Sequence, residues 1–268
     1  MKKIVLQITG NCNLDCKFCS DLFKHEKERN IEEILAVIDK MPLDGVKKIE
    51  ITGGEPLLYP NLLELLREIK ARGFEIGICT NGINLNKKVG ILSLIDEITL
   101  PVDSVVSEKL EEMGRDKSQL VKTVKNIGLI KDVNPDIRIK IATVLNKKNV
   151  DEVKSLASII ELLYLDEWEV HQFLPHGMGR DFIREFILGD DSFQQAISYL
   201  ETTSISSKLT PVSVHDKLKE GWLITPSLNL VKLEDYKSVL YGNALKLDNR
   251  TFDNLFRSKT YVKQNNTY

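Results

Sequence analysis

Val46-Lys47-Lys48-Ile49-Glu50-Ile51-Thr52-Gly53-Gly54-Glu55-Pro56 begins as a strand and breaks on a glycine pair and a proline. Leu62, Leu65, Leu66 and Ile69 then recur at helical spacing, and Phe74 to Thr80 is again a short strand-like run. A strand that reaches its neighbour through a helix must run parallel to it. The same rhythm continues on both sides. Upstream, Lys3 to Thr9 reads as a first strand. Ile31, Ile34, Leu35 and Ile38 form an amphipathic face behind a cap at Asn30 and Glu33. Downstream, Glu97 to Val102, Ile137 to Leu145 and Glu167 to Leu174 read as strands. Helices are expected at about Asn86 to Leu92, Ser118 to Lys131 and Val150 to Leu163.

Six such units with right-handed crossovers predict an α/β fold, an incomplete (β/α)6 parallel barrel over residues 1–175, in effect a partial TIM barrel. After Pro175 the rhythm breaks. His176 to Gly179 reads as a loop, Asp190 to Glu201 as a helix and Thr202 to Ser207 as a connector. Two or three short strands fit between Gly221 and Leu240. Residues 176–268 are therefore expected to form a C-terminal α+β extension packed on the barrel.

The chain has 268 residues, 42% hydrophobic and 28% charged, which supports a full core and excludes disorder. A net charge of −2 argues against a nucleic-acid binder that works through bulk charge. No apolar run approaches the roughly 20 residues that span a bilayer, and Met1 to Ile8 is too short an apolar stretch for a signal peptide. A cytoplasmic protein without membrane contact is expected.

Three of the four cysteines fall within eight residues, Cys12-Asn13-Leu14-Asp15-Cys16-Lys17-Phe18-Cys19, just after the first strand. Three thiolates on one loop can hold three corners of a cubane iron–sulfur cluster and leave one iron open. Structural zinc wants four ligands, and no nearby histidine or cysteine completes the set. Cys79 lies on an apolar strand and reads as a small buried residue. With no cysteine after it, a second cluster is excluded by count.

The triplet with Phe18 before its last cysteine, and Thr52-Gly53-Gly54-Glu55-Pro56 at the end of the second strand, resemble the radical S-adenosylmethionine (SAM) superfamily. The resemblance implies that Cys12, Cys16 and Cys19 ligate a [4Fe–4S] cluster whose fourth iron is chelated by SAM. It implies that the turn Gly53, Gly54, Glu55 and Pro56 contacts the SAM amino group. Asn81, in the polar turn Thr80-Asn81-Gly82, and Val144, in the fifth-strand segment that borders the adenine, would complete the SAM site. Arg115 is the candidate partner of the SAM carboxylate, because a guanidinium fork suits a carboxylate. The implied reaction is reductive cleavage of SAM to a 5′-deoxyadenosyl radical that abstracts hydrogen from substrate. An electron donor such as flavodoxin or ferredoxin is implied as a partner.

Residues 97 to 240 look most like the viperin-like branch, which dehydrates a cytidine nucleotide; Asp103-Ser104, Gly114-Arg115 and Trp168-x-Val170-x-Gln172 carry that likeness. Pro101 departs from it, standing where a SAM-contacting serine is usual. So do Glu167 and Glu169, which stand where that branch has phosphate-gripping cations. Lys140, Glu167, Glu169 and His171 are the candidates for a substrate pocket. Together they could line the barrel interior as a mixed-charge pocket, and two carboxylates facing a triphosphate would repel it. The expected substrate is accordingly a small polar molecule, nucleoside- or sugar-like. A ribosomal peptide, a viperin-like nucleotide dehydration and a non-catalytic SAM and iron–sulfur binding protein are the alternatives.

Overall fold

The computed structural model describes residues 2–41, 45–218 and 221–257. The first half alternates as β1 (Lys2–Gln7), α1 (Ile31–Ile38), β2 (Val46–Thr52), α2 (Leu62–Ala71), β3 (Glu75–Cys79) and β4 (Glu97–Pro101). It continues with α3 (Ser107–Glu112), α4 (Gln119–Val133), β5 (Arg138–Leu145), α5 (Val153–Leu163) and β6 (Glu167–Gln172). Beyond these come α6 (Ile183–Phe186), α7 (Asp190–Thr202), β7 (Lys208–Val212), α8 (Val214–Lys217) and β8 (Leu223–Ile224). The described residues close with β9 (Asn229–Glu234), β10 (Lys237–Asn243) and α9 (Asn249–Arg257).

All ten strands join one sheet in the order β10-β9-β8-β1-β2-β3-β4-β5-β6-β7, and β1 to β7 run parallel throughout. The α/β partial-barrel expectation holds, with two additions. Lys208–Val212, after the Thr202–Ser207 connector, is a seventh parallel strand beyond the six expected. Its half-exposed Leu209-Thr210-Pro211-Val212 carries little apolar signal, and as the last strand it tolerates Pro211. Between β3 and β4 the expected short helix is instead two 3₁₀ turns, Leu85–Lys87 and Val89–Ser93, closed by i to i+3 bonds.

The core lies between the sheet and its helices. In β5, Ile139, Ile141 and Leu145 are buried against helices while Lys140, Ala142 and Val144 face the concave interior. Asn30 caps α1 by accepting from the Glu33 amide at 2.8 Å. The three strands found after Gly221 lie on the opposite edge from β7: β8 runs parallel to β1, and β9 and β10 form a hairpin. Its turn residues Asp235 and Tyr236 both have positive φ, as a tight right-twisting hairpin requires. The loop after β6 reaches this hairpin through His176 to Ser238 (3.3 Å) and Arg180 to the Tyr236 carbonyl (3.1 Å). Those contacts bridge the open side of the curved sheet.

Candidate active site

The cysteine loop sits where β1 and β2 run past their formal ends. The Ile8 amide donates to Thr52, the Gly54 amide to Thr9 and the Glu55 amide to Asn11, at 2.8–3.1 Å. This seats residues 9–12 against the glycine turn with no room between. A Cβ at Gly54 would stand 2.3 Å from the Asn11 carbonyl oxygen, and one at Gly53, whose φ is +154°, 2.4 Å from that of Thr9. Two further bonds hold the loop, from the Lys17 amide to Met113 and from the Gly179 amide to Cys19. Cys12, Cys16 and Cys19 all open onto a cavity of about 430 Å³. Burial pushes the Cys12 and Cys19 thiols up. Among the described residues no three of His, Cys, Asp and Glu converge on a point that would hold a single ion. Three thiols spread along one loop beside a cavity suit a multi-iron cluster with an open corner better than a four-ligand zinc site.

Glu55 is 1% exposed, and its carboxylate accepts from the Leu57 amide (2.9 Å), the Asn81 amide (2.7 Å) and the Thr80 hydroxyl. Burial raises it against those donors. It therefore ties the β2 turn to the end of β3, while Asn81 extends the tie by donating to Asn13 of the cysteine loop at 2.7 Å. Arg115 pairs through Nε with the fully buried Asp103 at 2.8 Å, and its guanidinium lies 4.9 Å from the Phe18 ring. Burial alone would lower Arg115, but Asp103 and then the cysteines hold it above its ordinary value. Phe18 meets Phe186 edge-on at 5.9 Å. Arg115 and Phe18 line the cavity, as do Gly54, Glu55, Asn81 and Pro101. Val144 packs against the apolar cluster that includes Cys16 and Phe18, and its amide donates to Asp103.

The pocket candidates divide. Glu169 and His171 line the cavity, while Lys140 and Glu167 lie below it in the barrel floor. Lys140 reaches Glu169 (2.8 Å), Glu97 (3.3 Å) and Glu167 (3.3 Å). Glu97 also takes Lys48, and Glu167 takes Lys208 (2.9 Å) and the Thr210 hydroxyl. His171 contacts Glu169 at 3.1 Å. Burial alone would raise Glu169, but His171 and then Lys140 hold it well below the usual carboxylate range. Both Glu167 and Glu169 thus have their charge compensated by neighbouring side chains. Sequence reading missed Lys3, Glu50 and Cys79, which line the same cavity; Lys3 pairs with Glu50, and the Cys79 thiol donates to Glu50 at 3.0 Å. A signal existed. Parallel strands covered on both faces read as continuous apolar runs, whereas Lys3, Lys48, Glu50, Glu97 and Lys140 interrupt these strands at alternate positions.

A second cavity of about 400 Å³ adjoins the first, sharing Lys3, Val5, Cys19, Thr52 and His171 with it. Its far wall comes from Trp222, Leu223, Val231 and Ser238 of the C-terminal strands and their approach.

Residues 6–160 match the radical SAM superfamily model. The chain belongs to the radical SAM superfamily. It is a radical SAM enzyme, and the cofactors of its family are a [4Fe–4S] cluster and SAM. An S-adenosylmethionine-dependent nucleotide dehydratase of Flammeovirga pacifica is 30% identical over 207 residues, 70% of this chain and 68% of that one. A GTP 3',8-cyclase of Clostridium perfringens (strain SM101 / Type A) is also 30% identical, over 66% of this chain and 57% of its own length. Among solved structures, native anSMEcpe with bound AdoMet superposes with a TM-score of 0.67 at 15% identity, covering 96% of this chain and 80% of that one. That likeness establishes the fold. No helix among the described residues is long and apolar enough to cross a membrane.

Proposed function

We propose that this radical SAM enzyme abstracts hydrogen from a small polar substrate of nucleoside type, held in the second cavity against SAM in the first. When bound, the cluster and SAM supply the reducing electron and the radical that takes the hydrogen. Cys12, Cys16 and Cys19 would ligate the cluster, and the Gly53–Glu55 turn with Arg115 would orient the methionine end of SAM. Beneath the reaction lies the floor of paired charges, in which Lys140 holds Glu97 and Glu169. The carrying observation is that the cavities meet along Lys3, Thr52 and His171, beside the cysteine loop. Anaerobically reconstituted protein should release 5′-deoxyadenosine faster, by about tenfold or more in the range of ordinary positioning effects, when a nucleoside-type compound is present. Stimulation by peptides alone would overturn the reading.

A second reading, dehydration of a nucleotide triphosphate, is favoured by one observation: Glu167 and Glu169 are already paired with Lys140, Lys208 and His171 and do not confront phosphates as free charge. The names of the relatives from Flammeovirga pacifica and Clostridium perfringens point the same way. Titrating the SAM-loaded protein with cytidine triphosphate and with cytidine separates the two, since only the dehydratase reading predicts a preference for the triphosphate.

A further inference from the structure

The second cavity ends at the junction of β1 and the segment after the cysteine loop, where Gln7 and Asp21 meet. Gln7 is 8% exposed and donates from Nε2 to Asp21 Oδ1 at 3.5 Å. The same Oδ1 accepts from the Phe23 amide at 2.8 Å. The other two oxygens, Gln7 Oε1 and Asp21 Oδ2, are buried and have no partner among the described residues. Buried acceptors left without donors cost stability and call for an explanation.

The neighbouring donors are already committed. His176 Nδ1 lies 2.8 Å from the Ser20 carbonyl, so it carries the proton there; Nε2 is then the acceptor facing the Ser238 hydroxyl at 3.3 Å. This end of the cavity lacks a donor for each of two acceptors on side chains that touch through Gln7 Nε2 and Asp21 Oδ1. Lys3 and Lys217 line the same cavity, so a substrate ammonium would meet cationic neighbours. The Asp21 carboxylate disfavours phosphate at this end. A vicinal diol meets every condition: it is uncharged, and it brings two hydroxyl donors on adjacent carbons.

We propose that Gln7 Oε1 and Asp21 Oδ2 form the subsite that takes a vicinal diol of the substrate, as on an unmodified ribose, and so set both its orientation and its selectivity. The inference rests on the nucleoside reading above for its choice of ligand and on the two orphaned acceptors for its place. It leaves any phosphate pointing away from β1.

The test uses the cluster-reconstituted, SAM-loaded protein and isothermal titration with cytidine, 2′-deoxycytidine and methyl β-D-ribofuranoside. Cytidine should bind about tenfold tighter than 2′-deoxycytidine, the worth of one such hydrogen bond. Gln7→Met and Asp21→Asn should each bring the two close to parity. Iron content per chain and melting temperature report whether each variant folds. Gln7→Met removes an unpartnered acceptor together with the long Nε2 bond to Asp21, so its melting temperature should stay close to the parent's. Should Gln7→Met fail to fold, Asp21→Asn still carries the comparison. Equal binding of cytidine and its deoxy form, unchanged in the variants, would overturn the diol subsite and leave the nucleoside reading standing. Binding of the methyl riboside that Gln7→Met abolishes, with no nucleoside bound, would support the subsite and sink the nucleoside reading. Binding of none of the three would overturn both.

Discussion

Glu55 illustrates how one side chain can set a site without reacting in it. Three donors from Leu57, Thr80 and Asn81 converge on its buried carboxylate, and Asn81 passes the constraint to the cysteine loop. Glu55→Gln would face the Asn81 amide or the Thr80 hydroxyl with a second donor. It should cost about 1–3 kcal/mol of stability and weaken SAM binding, read by chemical unfolding and by titration with SAM. Gly54→Ala should act through the loop itself, because its methyl group would occupy the space of the Asn11 carbonyl. Iron bound per chain after reconstitution should fall, with the secondary structure intact by circular dichroism. Cys16→Ala should bring iron from about four per chain, the content of one cubane, to a small fraction of that and abolish 5′-deoxyadenosine release. Substantial SAM cleavage by this variant would contradict the ligand assignment. The three cysteines and both glycines are legible from spacing and turn chemistry. The anchoring of Arg115 by Asp103 is not, because the two stand 12 positions apart in the chain with a helix between them.

The strands carry a second kind of information in their interior-facing positions. Lys48, Glu97, Lys140, Glu167 and Glu169 come from β2, β4, β5 and β6 and interlock as one buried ionic floor. Lys140 is its centre, since three carboxylates depend on it. Lys140→Met should destabilise by about 3–5 kcal/mol, the usual penalty for stranding buried charge, measured as a shift in the urea midpoint at constant slope. The floor also predicts an acid limb. Burial alone would raise Glu50, Glu167 and Glu169, but Lys3 and Cys79, Thr210 and Lys208, and His171 and Lys140 respectively outweigh it and leave all three lowered. A carboxylate lowered on folding contributes stability above its unfolded pKa of about 4.3, and that contribution is lost as pH falls through the folded value. Melting temperature should therefore drop steeply below about pH 4.5 by the same linkage, and Glu169→Gln should flatten that limb. An unchanged acid profile would show that Glu169 is not held ionised by its partners. Alternation places these residues on one face, but which carboxylate meets which lysine depends on strand register. Only Glu169 and His171 of the four pocket candidates reach the cavity, because Lys140 and Glu167 lie deeper along their strands.

The molecule as a whole is an open sheet whose edges, β7 and β10, both come from the last third of the chain. β1 has a neighbour on its outer side only because β8 returns to it, and Trp222 and Tyr241, in edge-to-face contact at 4.7 Å, pack near that seam. A chain ending at Leu218 would bare the β1 edge and remove the wall of the second cavity. It should melt well below the full chain and associate on size-exclusion chromatography, as exposed central edges do. A truncated chain with the stability and the elution position per mass of its parent would show that β8–β10 are accessory. The strand–helix alternation, the cysteine loop and the glycine turn were all readable from residue order, because each depends on periodicity or on spacing within a few residues. The return of the C-terminal strands to β1, the pairing of the interior charges and the two adjoining cavities emerge only in three dimensions. They arise from contacts between residues up to some two hundred positions apart, such as the Glu26 carboxylate with the Thr225 hydroxyl and the Ser227 amide. Nothing local in a chain encodes which of its many polar groups will meet at such a distance.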